Sequence, residues 1–338
     1  MSQAEALADW FLPSASGGEA CRARINARLH ESLEHVLAQC APHVSFDVDR
    51  GRALLGAING PRRLAPALFG ALFDVLHEID QGELSDVEAS LDRLLRIDAL
   101  GAAPLAIRPF DGASFAGVDE ELLIRQFESE SLDREQIARL NRRETSMASA
   151  RIGTALSILE GYAPDSFAET AAVVSEIVPA AGRSTKGFVF DGCSSLERWG
   201  AMLLNMDVEK SDLDLAVTIV HEGAHISLFG KAPINFHVEN DDETERYSSP
   251  LRVDLRPMSG IYHATFVLAR MVYAMREIIE SRSAPAALRD EAARRVQSDT
   301  GLFLEGYSVV NAHARFTPEG AAIMRDTHAY MAGLREAA

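Results

Sequence analysis

Apolar residues recur every three or four positions through most of the chain, the spacing that lines one face of an α-helix. Ile25, Leu29, Leu33, Val36 and Leu37 follow it within Glu19–Gln39, and Leu64, Leu68, Leu72, Val75, Leu76 and Ile79 follow it within Pro61–Asp80. A third helix is expected over Ser85–Ile97, where Ser85 and Glu88 have the spacing of a capping box. Leu100–Gly117 breaks the rhythm with Gly, Ala and Pro, and its LAIRPF run predicts a short strand. Helical spacing resumes over Asp119–Glu160 and again over Asp165–Ile177, with Pro179 and Gly182 as the stop. Over Ser184–Asp191 the period changes to two: Thr185, Gly187 and Val189 alternate with Lys186, Phe188 and Phe190, which predicts a strand. Ser211–Phe229 is a further helix, opened by Ser211 as N-cap and closed by Gly230 and Pro233. Pro257 suits the first position of a helix running to about Glu280, and helices are expected over Ala284–Gln297 and Pro318–Glu336. The fold class is α+β, mainly α-helical. A soft boundary divides a helical amino-terminal region, residues 1–150, from residues 151–338. The first region suits peptide docking or a lid.

Composition narrows the setting. With 338 residues, 47% hydrophobic and 25% charged, the chain can bury a large core. A net charge of −17 argues against nucleic acid or an anionic membrane as partner. Cys21, Cys40 and Cys193 are odd in number and form no CxxC, as in a reduced cytoplasmic protein. The first residues lack the basic and apolar parts of a signal peptide, and no apolar run reaches the length of a membrane span.

Candidate chemistry sits in the Ser211–Phe229 helix, within HEGAHISLFG. His221 and His225 stand at i and i+4, so their rings lie on one helix face. Two neutral imidazoles so placed can grip one divalent metal, with Glu222 left as a base or a supporting group. The plain alternative is a buried helix with two core histidines. A catalytic metal needs a third protein ligand. The HExxHxxGxxH extension is absent, since Leu228 and Lys231 occupy its glycine and third-histidine places. His263, on the next long helix, is the preferred third ligand; Glu239, Asp241, Asp242, Glu243 and Glu277 are the carboxylate alternatives. Three histidines suit iron(II) as well as zinc. Arg252 and Arg256 flank the start of the His263 helix, where an anionic cosubstrate would be favoured, and Arg270 is a third candidate. Their plain alternative is pairing with Asp254 or the acidic loop. A strand shortly before an HExxH helix is the arrangement of a metallopeptidase-like (gluzincin-like) core, where an edge strand can hold an extended peptide; the plain alternative is an ordinary sheet strand.

HEGAH followed by YSSPLRVDLRPMSGIYHATF resembles the HExxH-type, 2-oxoglutarate- and iron-dependent β-hydroxylases that modify ribosomally made peptides. The likeness is best over residues 184–275, and the RPMSGIYH stretch separates it from zinc peptidases. One departure is an extra serine, Ser248 or Ser249, in the Tyr-Ser-Pro turn. The resemblance implies Fe(II) held by His221, His225 and His263, 2-oxoglutarate as cosubstrate, and a precursor peptide hydroxylated at Cβ. Glu222 would then be a supporting residue. The alternative is a zinc-dependent metallopeptidase with Glu222 as general base.

Overall fold

Most segments with helical spacing are helices in the computed structural model, which describes residues 10–82, 84–101, 103–110, 120–127, 137–182, 190–232 and 237–336. In chain order the elements are α1 (Ala15–Cys40), α2 (Val48–Ile58), α3 (Pro66–Gln81), α4 (Leu84–Leu95), β1 (Ala106–Ile107), α5 (Glu120–Arg125), β2 (Ile137–Ala138) and α6 (Arg142–Tyr162). Then come α7 (Pro164–Val173), β3 (Glu176–Gly182), β4 (Gly192–Ser194), β5 (Ala201–Asn205), α8 (Asp212–Lys231), α9 (Met258–Glu280), α10 (Ala286–His313) and α11 (Pro318–Glu336). The fold is α+β and mainly helical, with a small mixed sheet among the described residues. Among the described residues no helix is long and apolar enough to cross a membrane.

The expected helix over Asp165–Ile177 is corrected. Helix α7 stops at Val173, and Glu176–Gly182, with Pro179 and Gly182 inside it, is strand β3. The apolar run Val173, Val174, Ile177 and Val178 is buried throughout. A short buried run fits a strand as well as a helix, and spacing alone does not separate them. Partner strands decide: Ser175 and Glu176 donate to the Gly200 carbonyl at 2.7 and 3.1 Å, leading into the parallel ladder with β5. The strand expected over Ser184–Asp191 falls largely on residues 183–189, outside those described, and Phe190 and Asp191 belong to no strand. Helix α2 has no counterpart in the expected elements; Asp47 caps it, accepting from the Arg50 amide at 3.0 Å.

The chain forms two compact units. One comprises Glu19–Ala150 and Ala171–Glu209 and holds the sheet. Its strand order is β1-β3-β5-β4, with β1, β3 and β5 parallel, β4 antiparallel to β5, and β2 antiparallel to the end of β3. Strand β5 is buried along its whole length, as expected of a strand covered on both faces. Phe110, Leu123, Phe127, Val178, Ala201 and Leu203 pack in its core.

The other unit comprises Met1–Gly18, Arg151–Thr170 and Lys210–Ala338. Helix α9 is its centre, packed against α8, α10 and α11 and buried along most of its length. At Gly306 of α10 an added Cβ would lie 2.5 Å from the Thr265 hydroxyl of α9, so a glycine permits that approach. Helix α8 is apolar on nearly every side, the mark of a core helix. Ser211 caps it by accepting from the Asp214 amide at 3.0 Å. Asp212 and Asp214 in the first turn and Lys231 in the last complement the helix dipole.

Candidate metal centre

The histidines of α8 and α9 meet inside the second unit. His221 and His225, one turn apart on α8, bring their Nε2 atoms to 3.2 Å. Two nitrogens each about 2.0–2.1 Å from a common ion sit about 3.0–3.4 Å apart, so this pair fits a shared metal as it stands. His263 approaches from α9, its Nδ1 3.1 Å from Nδ1 of His225. It therefore meets the other ring nitrogen of His225, and the three imidazoles form a chain. Among the described residues no three His, Cys, Asp or Glu side chains already converge on one point. One ion held by all three rings requires the His225 and His263 imidazoles to shift relative to each other. His221 also places Nδ1 3.4 Å from the Met271 sulfur.

All three rings are half-buried, with their nitrogens set among protein atoms. Burial lowers the pKa of His221 to about 4, helped by the positive charges of Lys210 and Arg295. Burial holds His225 and His263 well below the ordinary histidine range, and neighbouring rings add to the effect in both. The site is therefore neutral at pH 7, and each imidazole keeps a lone pair for a metal. Glu222 is buried at 4% exposure. One position on from His221, its side chain leaves α8 about 100° further round.

Three of the carboxylate alternatives, Glu277, Asp241 and Asp242, are engaged away from the histidines. Glu277 caps the start of α7, accepting from the Asp165 amide at 2.8 Å and the Ser166 amide at 3.1 Å. Asp241 accepts from Glu243 N and Thr244 Oγ1 within its own loop, and Asp242 accepts from the Ser259 hydroxyl. Neighbouring Glu245 is held by Arg315, Tyr247 and Asn240, which lower its pKa to about 2. Arg252 and Arg256 both grip Asp254, each at 3.2 Å. Arg256 is also fixed through its backbone, which exchanges two 2.8 Å hydrogen bonds with Tyr247. Arg270 is turned into the core, bound to Glu169 and to the Phe11 carbonyl.

A fourth histidine joins the cluster. His237 is buried, stacks on Tyr262 with ring centroids 5.0 Å apart, and meets His263 edge to face at 5.3 Å. In the sequence it sits in a polar, acidic loop with no ligand spacing. Its only hint is a local one, the apolar neighbours in Phe-His-Val. No protein-family model matches this chain, and no curated protein is similar to it.

Proposed function

We propose that this protein is a cytoplasmic iron(II)- and 2-oxoglutarate-dependent oxygenase that hydroxylates Cβ of a side chain in a ribosomally made peptide. The observation that supports the reading is the 3.1 Å approach of His263 to His225. It puts a third imidazole beside the HExxH pair, while Glu277, the carboxylate a zinc peptidase would use from that helix, caps α7 instead. Three neutral imidazoles leave the positive charge of the ion uncompensated, which favours an anionic cosubstrate. With iron(II) and 2-oxoglutarate bound, the chemistry supplied is oxidative decarboxylation by dioxygen, which gives succinate and carbon dioxide and delivers the second oxygen atom to the peptide Cβ.

The chain's own residues would then act as follows. His221 and His225 hold the metal, and His263 completes the set. Glu222 supports the site from α8 and takes no obligatory proton. Arg252 or Arg256 grips the cosubstrate carboxylate by exchanging Asp254 for it. Asp254 is 48% exposed. Such ion pairs are worth about 0–1 kcal/mol, so a bidentate carboxylate competes well for the arginine. The core around α8 and α9 is metallopeptidase-like in this reading, and the partner is a precursor peptide.

The test is anaerobic reconstitution with iron(II), followed by 2-oxoglutarate, oxygen and a candidate peptide. The expected result is succinate formation that is lost in His221→Ala and His263→Ala and retained in Glu222→Gln. Absence of succinate, with zinc-dependent peptide cleavage abolished by Glu222→Gln, would sink the oxygenase reading in favour of a hydrolase.

A further inference from the structure

We propose that His237 is a positioning residue that sets the orientation of the His263 ring and locks α8 to α9 at the metal centre. The inference rests on the metal-site reading above and goes beyond it in assigning a role to a fourth histidine. It begins with the end of α8. The last four carbonyls of a helix have no partner within it, and Leu228 is the first of those four in a helix that ends at Lys231. His237 Nε2 lies 3.2 Å from the Leu228 carbonyl oxygen. A carbonyl only accepts, so Nε2 carries the proton and donates. The tautomer of His237 is thereby fixed, and its ring is anchored to the helix that carries His221 and His225.

The same ring reaches α9. One face stacks on Tyr262 at 5.0 Å with planes 17° apart, while the contact to neighbouring His263 is nearly perpendicular, 5.3 Å at 78°. Phe229 bounds His263 from α8, with centroids 5.1 Å apart. His225 stacks on the same ring with centroids 5.3 Å and planes 20° apart, so the plane of His263 is determined by what packs on it, and His237 is the member of that packing anchored to the end of α8.

His237 is itself clamped from behind. Its carbonyl accepts from the Thr317 amide at 3.2 Å and the Thr317 hydroxyl at 3.3 Å. Tyr262 donates its hydroxyl to the Gly320 carbonyl at 2.8 Å. A Cβ at Gly320 would fall 1.8 Å from the His237 carbonyl oxygen, so the first turn of α11 lies directly against this backbone. Val238 and Phe316 form a bridge beside it. A buried ring with a fixed tautomer, a helix-end anchor and a backbone clamp is the arrangement by which a neighbour orients a metal ligand.

The test uses full-length, metal-free protein titrated anaerobically with cobalt(II), reading affinity and the visible absorption of the bound ion. His237→Phe keeps a ring and removes the N–H; His237→Gln keeps an N–H donor. Loss of an orienting neighbour lowers metal affinity about 10–100-fold. The expected result is a loss in that range for His237→Phe with a changed cobalt spectrum, partial recovery in His237→Gln, and no further loss when His237→Phe is added to His263→Ala. Thermal melts of the metal-free variants report folding separately. Wild-type affinity and spectrum in His237→Phe would overturn the proposal, as would a full additional loss in the double variant. Failure of the wild-type protein to bind cobalt(II) would overturn it too. If cobalt(II) behaves as expected but the iron-loaded enzyme forms no succinate, the oxygenase reading falls and the positioning role stands.

Discussion

Glu169 is a carboxylate shared by two buried cations, and its removal gives the sharpest test of the packing that carries the histidines. Arg270 of α9 pairs with it directly, and Lys231 at the end of α8 lies 3.9 Å away. The three side chains are only 2–4% exposed. Breaking a buried ion pair by removing one partner costs about 3–5 kcal/mol, because the remaining charge has lost its solvation. Glu169→Gln keeps the shape and takes the negative charge from both cations, so the upper end, about 5 kcal/mol, is expected. Arg270→Met leaves Glu169 with Lys231, so its electrostatic loss sits at the lower end, about 3 kcal/mol. It also gives up the cation–π contacts of Arg270 with Phe11 and Phe266, 5.8 and 5.7 Å from its guanidinium carbon. These add about 1 kcal/mol. The order Glu169→Gln worse than Arg270→Met is therefore the prediction. At about 2–4 °C per kcal/mol the carboxylate variant should melt at least 10 °C lower. Thermal and urea unfolding followed by circular dichroism at neutral pH checks it. Arg325→Ala, at an exposed pair, serves as the control and should change stability by under about 1 kcal/mol. A loss below about 1 kcal/mol in Glu169→Gln, or a larger loss in Arg270→Met, would refute the reasoning.

The remaining predictions concern pH and packing. His221 falls from 6.5 in the unfolded chain to about 4 in the fold, so between those values the unfolded state binds the extra proton. Metal-free protein should therefore lose stability as pH falls from about 6.5 to 4, by on the order of 2 kcal/mol from this half-buried ring. Melts across that range, compared with His221→Gln, isolate the effect; equal slopes in both proteins would contradict it. Gly320→Ala places a methyl group against the His237 carbonyl and should destabilise by about 1–3 kcal/mol in denaturant titration, whereas a neutral alanine would show that the two backbones can part. Leu203, 1% exposed in β5, should lose about 2–5 kcal/mol on replacement by alanine, and a loss under about 1 kcal/mol would mean the sheet core collapses around the gap.

What the sequence determines by itself is local. Helical spacing marks α1, α3, α4 and α8 through α11 to within a few residues at most ends, because each buries one stripe, or all of itself, at a period of 3.6. The i, i+4 spacing makes His221 and His225 neighbours in any fold that keeps α8 helical, since the helix alone sets their separation. Tertiary structure decides the rest. β3 is a strand because β1 and β5 stand beside it; its own run, Val-Val-Ser-Glu-Ile-Val-Pro, suits either period. The approach of His263 to His225 depends on how α8 and α9 cross, and no spacing encodes a crossing. Glu277, a carboxylate alternative on the same helix, is drawn off to cap α7. Arg270 shares a helix with His263 but turns to a buried glutamate from α7. His237 joins the cluster only because α8 ends with an unpaired carbonyl and α11 presses a glycine against its backbone. In each case the partner is remote in sequence, and it is packing that selects which of several chemically suitable side chains reaches the site.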